Sequence, residues 1–108
     1  MAQVIWAEPA LEDLDAIADY IALDDPKAAK RLVGKVFQKV DQLMELPETG
    51  TRPRELIGTP FRKLSINPIL IYYRIEGEKV IIVHIVRGER QFDLKRIEGQ
   101  NPPGGFPF

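Results

Sequence analysis

FRKLSINPILIYYRIEGEKVIIVHIVR, residues 61–87, is the stretch on which the fold turns. It is rich in β-branched and aromatic residues and divides into three strands, Phe61–Ile66, Ile69–Ile75 and Val80–Arg87. Asn67-Pro68 and Glu76-Gly77-Glu78 separate them, and connections this short demand an antiparallel meander. An antiparallel sheet with one wet face should alternate apolar and polar residues. The last two strands do not: Ile69 to Tyr73 and Val80 to Val83 are unbroken apolar runs. Both faces of this sheet are therefore expected to need cover.

The chain upstream supplies cover for one face. Residues 3–7, QVIWA, read as a first strand, and Glu8-Pro9 begins a helix, because proline at a first helical position loses nothing by lacking its N–H. Leu11, Leu14, Ile17, Ala18 and Ile21 recur at helical spacing as a buried stripe, and Glu8, Glu12, Asp15 and Asp19 form an acidic ladder on the other side. Leu23-Asp24-Asp25-Pro26 ends this helix and caps the next. The second helix, ended by Pro47, is expected to bury Ala29, Leu32, Val33, Val36, Phe37, Val40, Leu43 and Met44, and Lys27, Arg31, Lys35 and Lys39 run along it as a basic ladder. The short connection makes the two helices an antiparallel hairpin. For the second face of the sheet there are three candidate covers: residues 91–97 with Phe92, Leu94 and Ile97, a second copy of the chain, or a different protein. Residues 48–60, with two glycines and two prolines, read as a loop that could hold a short irregular strand.

Composition narrows the chemistry. The 108 residues suffice for one domain. There is no cysteine, which removes disulfides, thiolate metal sites and cysteine nucleophiles and fits a cytoplasmic setting. With a single histidine, His84, serine–histidine–aspartate and zinc–water chemistry have almost no material, and neither a metal nor another cofactor is expected. The opening MAQVIWAEPALEDLD has no basic region and no long apolar run, so neither a secretory signal nor a membrane span is expected. The net charge of −1 hides a polarity: residues 1–50 carry ten acidic and five basic side chains, residues 51–108 six acidic and ten basic. Any anion-binding role must be local.

Arginine is the residue type suited to such a role, since its planar fork matches phosphate and carboxylate and stays charged. Arg52, Arg54, Arg62, Arg74, Arg87 and Arg90 all lie on the strands or their flanking loops, against the plainer reading of scattered solvated charge. His84 stands mid-strand between Val83 and Ile85 and reads as a packed, hydrogen-bonded side chain. Alternation along a strand puts His84 and Arg87 on opposite faces, which keeps them out of one site. The acidic and basic ladders read as solvated or mutually paired faces.

These pieces together resemble the ParE/RelE toxin superfamily of type II (plasmid-stabilising) toxin–antitoxin systems. The resemblance rests on the set: ALEDLDAIADYI at 10–21, LMELPETG at 43–50, R-x-L from Arg62 before the Tyr72-Tyr73-Arg74 triplet, and VIIVHIVR ending in Arg87. It implies an α+β fold of order β-α-α-β-β-β, with a helical hairpin packed on one face of a small antiparallel sheet, in one toxin domain over residues 1–97 and a flexible tail over 98–108. It also implies a small antitoxin that wraps and neutralises the toxin, for which Leu70, Tyr72 and Phe92 are the expected contacts. A homodimer is a further possible assembly.

The superfamily holds two activities. Members resembling RelE are ribosome-dependent mRNA endonucleases; here Arg54, Arg62 and Arg87 would be the matching phosphate-binding residues. Members resembling ParE poison DNA gyrase by binding. The nuclease pattern tends to place a tyrosine or histidine in the C-terminal segment, yet GERQFDLKRI (88–97) has Phe92 and neither. Cleavage through a 2′-hydroxyl requires proton transfer, and arginine is a poor acid or base. The reading favoured here is the gyrase-binding branch, with Arg62, Arg74, Arg87 and Arg90 as target contacts. A toxin that retains only antitoxin pairing is the third reading.

Overall fold

The computed structural model describes residues 1–88. Its elements run β1 (Gln3–Trp6), α1 (Glu8–Ala22), α2 (Pro26–Gln42), β2 (Phe61–Ile66), β3 (Ile69–Glu76) and β4 (Lys79–Arg87), with single 3₁₀ turns at Pro47–Thr49 and Arg54–Leu56. The helix starts follow their local chemistry. Pro9 and Pro26 occupy first turns, and the Asp25 carboxylate accepts the Ala28 N–H at 3.0 Å, a cap that contributes about 1 kcal/mol. The helix over 26–42 stops short of Pro47.

The sheet order is β1-β4-β3-β2. β2, β3 and β4 form the expected meander, joined by the Asn67-Pro68 turn and by a Gly77-Glu78 turn whose Gly77 takes a φ of +58°. The fourth strand corrects the all-antiparallel expectation: β1 pairs with β4 in parallel, Gln3 beside Lys79 through Trp6 beside Ile82. The reason is directional. The chain passes from β1 into α1 without reversing, so Asp13 reaches Ile85, beyond the end of β1. The hairpin brings α2 back, and the Ala2 N–H donates to the Met44 carbonyl. Reversals at α2–β2 and at two hairpin turns then leave β4 pointing the same way as β1.

Between the hairpin and the sheet lies the main core, with Ala10, Leu14 and Ile17 of α1, Leu32, Val36 and Val40 of α2, and Leu64, Ile66, Ile69, Ile71, Tyr73, Val80, Ile82 and Ile85 of the sheet. Each buried aliphatic side chain of this set contributes roughly 1.5–3 kcal/mol relative to exposure. Two of the expected core residues are exposed instead. Leu11 and Phe37 are 42% and 41% exposed, at the rim of the helical stripes, where the Phe37 ring meets the Trp6 ring at 5.2 Å.

The second face of the sheet has a cover that the sequence reading missed. Leu56, on the 3₁₀ turn Arg54–Leu56, is fully buried in a second cluster with Phe61, Tyr72 and Val83. The segment read as a loop folds onto the sheet and fastens itself. Lys63 pairs with Glu55 at 3.6 Å, the Thr59 hydroxyl donates to the Leu56 carbonyl at 2.7 Å, and Arg52 Nη2 donates to the Thr59 carbonyl at 2.7 Å. An isolated antiparallel bridge joins Thr51 to Lys63 on the outer edge of β2, the short irregular pairing allowed for in this stretch. Leu70, Ile81 and Val86 complete this face half-buried.

Candidate interaction surfaces

The arginines do not converge. Arg62 stands across from Tyr73, and its Nη1 donates to the Gly50 carbonyl at 3.0 Å and to the Glu48 carbonyl at 3.5 Å. Arg74, across from Phe61, belongs to the opposite face and holds Glu76 Oε2 through Nη2 at 2.9 Å and Nε at 3.2 Å. Arg87 is at the other end of the sheet, across from Ile69. Four residues of β3 separate the levels of Arg62 and Arg87, roughly 13 Å of strand. Arg54 lies exposed on its 3₁₀ turn. Of the three arginines matched to a nuclease, Arg62 and Arg87 thus stand at different levels of the sheet. Arg90 and Phe92 and the expected tail at 98–108 lie outside the described residues.

Tyr72 and Tyr73 are both too deeply buried to act as bases. Tyr73 is fully buried; its hydroxyl accepts the Gly50 N–H at 2.7 Å and donates to the Pro47 carbonyl at 2.7 Å. Burial pushes its phenol above the ordinary range, against the lowering effect of the Gly50 hydrogen bond and Arg62. Tyr72 is 1% exposed, and burial, helped by the Glu55 carboxylate, raises its phenol further. Both remain neutral at working pH and cannot draw a proton from a substrate hydroxyl. Of the expected antitoxin contacts, Leu70 is half-buried at the surface of the second cluster, whereas Tyr72 supports that surface from beneath.

One flank of α1 forms a seam with β4 that the sequence reading overlooked. Past Ile82 no strand among the described residues lies beside this edge of β4, and Asp13 takes the place of one: its Oδ2 accepts the Ile85 N–H at 3.0 Å and lies 3.4 Å from His84 Nδ1. His84 is buried there, as expected of a packed histidine. Seven residues on, Tyr20 lies under the Arg87 guanidinium, 4.7 Å from carbon to ring centroid. Seven helical residues advance about 10.5 Å and three strand residues about 10 Å, so the two pairs keep step. The signal was present in phase: Asp13 and Tyr20 each follow a ladder residue by one position, about 100° round the helix. Tyr20 is 59% exposed, which makes Tyr20–Arg87 an open aromatic–cation patch.

Asp13→Ala exposes the edge N–H of Ile85 and removes the carboxylate beside His84. The expected loss is about 1–3 kcal/mol in urea unfolding, while Asp13→Asn, which keeps an acceptor, retains most of the stability. Equal losses in the two variants would show that charge rather than the edge hydrogen bond holds the seam.

Among the described residues no group of acidic or histidine side chains could hold a metal, and no helix is long and apolar enough to cross a membrane. Known proteins share this sequence and this fold. Toxin RelE2 of Caulobacter vibrioides is 40% identical over 89 residues, spanning 81% of this chain and 92% of its own length. Toxin ParE3 of the same organism is 29% identical over 89 residues, spanning 82% and 88%. A solved chain from the chromosomal ParDE toxin–antitoxin system of P. aeruginosa superposes with a TM-score of 0.66 at 27% identity, covering 81% of this chain and 96% of that one. The family model described as ParE toxin of type II toxin-antitoxin system, parDE, matches residues 4–92. A helical hairpin on a four-stranded mixed sheet, with these relatives across most of its length, places the chain in the ParE toxin family of type II toxin–antitoxin systems, whose members are paired with a cognate antitoxin.

Proposed function

We propose that this toxin acts by binding rather than by catalysis, that DNA gyrase is its target, and that its antitoxin neutralises it over the face carrying Leu70, Ile81 and Val86. The supporting observation is the dispersal of the arginines. Cleavage of a phosphodiester needs charge stabilisation and proton transfer at one point. Here Arg62 is engaged by loop carbonyls and Arg87 stands roughly 13 Å of strand away on Tyr20. The raised phenols of Tyr72 and Tyr73 supply no base between them. For binding a protein the same dispersal is no handicap, since an interface of ordinary size spans 800 Å² per partner, about the reach of one sheet end.

The deciding experiment sets two assays side by side on the purified full chain. Gyrase supercoiling is expected to be inhibited while mRNA on programmed ribosomes stays intact. Cleaved mRNA with supercoiling untouched would establish the RelE-like endonuclease instead. A chain inert in both assays and harmless to cells when expressed without antitoxin would be one that keeps only antitoxin pairing.

A further inference from the structure

The outer face of the helical hairpin is split by charge. The exposed residues of α1 include Glu8, Glu12, Asp15 and Asp19 and no cation. Those of α2 from Lys27 to Lys39 include Lys27, Lys30, Arg31, Lys35 and Lys39 and no carboxylate. Of the two readings of the ladders, solvated or mutually paired, the structure has the first: the ladder residues are exposed, and among the described residues no carboxylate of α1 forms an ion pair with a cation of α2. Each helix therefore presents like charges at three- and four-residue spacing, a mutually repulsive arrangement that no ion pair among the described residues compensates. Between the two stripes stand Leu11 and Phe37, about two-fifths exposed each, brought to the same height by the antiparallel hairpin.

We infer that this face is the interface of a homodimer in which α1 of each protomer lies along α2 of the other, around a two-fold axis parallel to the hairpin. That symmetry sets α1 antiparallel to the partner's α2 at matching heights. Asp15 and Asp19 then face the Lys27, Lys30 and Arg31 end of the facing helix, and the Leu11–Phe37 pair packs on its own copy. An isologous contact needs a self-complementary surface, and a face acidic on one side and basic on the other is one. Its size sets its strength. Helices of 15 and 17 residues are about 22 and 25 Å long, so the pair offers roughly 500 Å² per protomer. The total of about 1,000 Å² is at the lower bound of specific interfaces, and the dimer belongs in the micromolar range. The face is on the layer opposite to Leu70, Ile81 and Val86, so the inference stands independently of the proposed function.

Sedimentation equilibrium of the full chain between about 1 and 500 µM tests it. At low salt a monomer–dimer equilibrium is expected, weakening at least tenfold by 1 M salt, where the screening length falls to about 3 Å. Reversing one stripe (Lys30→Glu with Arg31→Glu) or the other (Asp15→Lys with Asp19→Lys) should weaken self-association at least tenfold, because like charges then meet. All four residues are exposed, and circular dichroism checks that the variants fold. Mixing the two reversed chains restores opposite charges at both contacts, so the mixture should form a heterodimer that neither chain forms with itself. A wild-type chain monomeric throughout, reversed variants that dimerise like wild type, or a mixture that fails to associate would each overturn the inference.

Discussion

Gly50→Ala is expected to cost about 3 kcal/mol, a melting temperature lower by roughly 12–24 °C in a domain of this size, and with it most of the toxin's folded population under mild stress. The backbone at Gly50 is ordinary, φ −66° and ψ 149°, so the loss owes nothing to conformational freedom. It comes from space. A Cβ there would stand 2.5 Å from the Tyr73 hydroxyl oxygen, 2.6 Å from Cε1 and 2.9 Å from Cζ. Tyr73 is the largest side chain at the centre of the main core and has nowhere to retreat. Displacing it also breaks the two 2.7 Å hydrogen bonds to Gly50 and Pro47 and leaves buried polar groups unmatched. Tyr73→Phe alone should cost about 1–3 kcal/mol, and the double variant less than the sum, since both changes act through one contact. Thermal unfolding of the three variants gives the answer. A Gly50→Ala chain melting within about 4 °C of wild type, under 1 kcal/mol, would mean that the ring can move aside and that this node is not what holds residues 47–51 to the sheet.

That node also marks where sequence reasoning stops. The two helices and the three meander strands were legible because each advertises itself within a few residues: a 3.6-residue apolar period, proline at a first turn, an aspartate cap, glycine at a two-residue hairpin. Gly50 and Tyr73 are 23 positions apart, and nothing local says that one needs the other's side chain to be absent. The same limit hid Leu56. A lone leucine between prolines and glycines carries no period, yet it covers part of the second face that the apolar runs in β3 and β4 showed to need cover. The need was readable and the means was not. For the arginines, alternation tells which face a strand residue takes, but only the register, Phe61 beside Arg74 and Ile69 beside Arg87, reveals that Arg62 and Arg74 share one end of the sheet while Arg87 has the other. The parallel placement of β1 was likewise a matter of chain direction through Ala7, which four apolar strand residues do not encode.

Tyr20→Ala and Arg87→Glu should each weaken inhibition of gyrase supercoiling about 30-fold while leaving the fold in place. Tyrosine and arginine are the residue types most enriched among interface hot spots, where truncation costs 2 kcal/mol or more, and 1.4 kcal/mol is a factor of ten. Tyr20 brings most of its ring surface to solvent, and its contact with Arg87 at 4.7 Å is an exposed one worth about 0.5–1 kcal/mol, so truncation should lower the melting temperature by no more than about 8 °C. Arg87→Lys keeps the charge and loses the planar stacking group, and should fall between wild type and Arg87→Glu. Arg62 provides the contrast. Its guanidinium is spent on the carbonyls of Gly50 and Glu48, so Arg62→Ala should lower the melting temperature and leave inhibition by the remaining folded chain unchanged. The reverse pattern, in which Arg62→Ala abolishes inhibition at full stability while Tyr20→Ala and Arg87→Glu inhibit as wild type does, would move the target surface to the opposite end of the sheet.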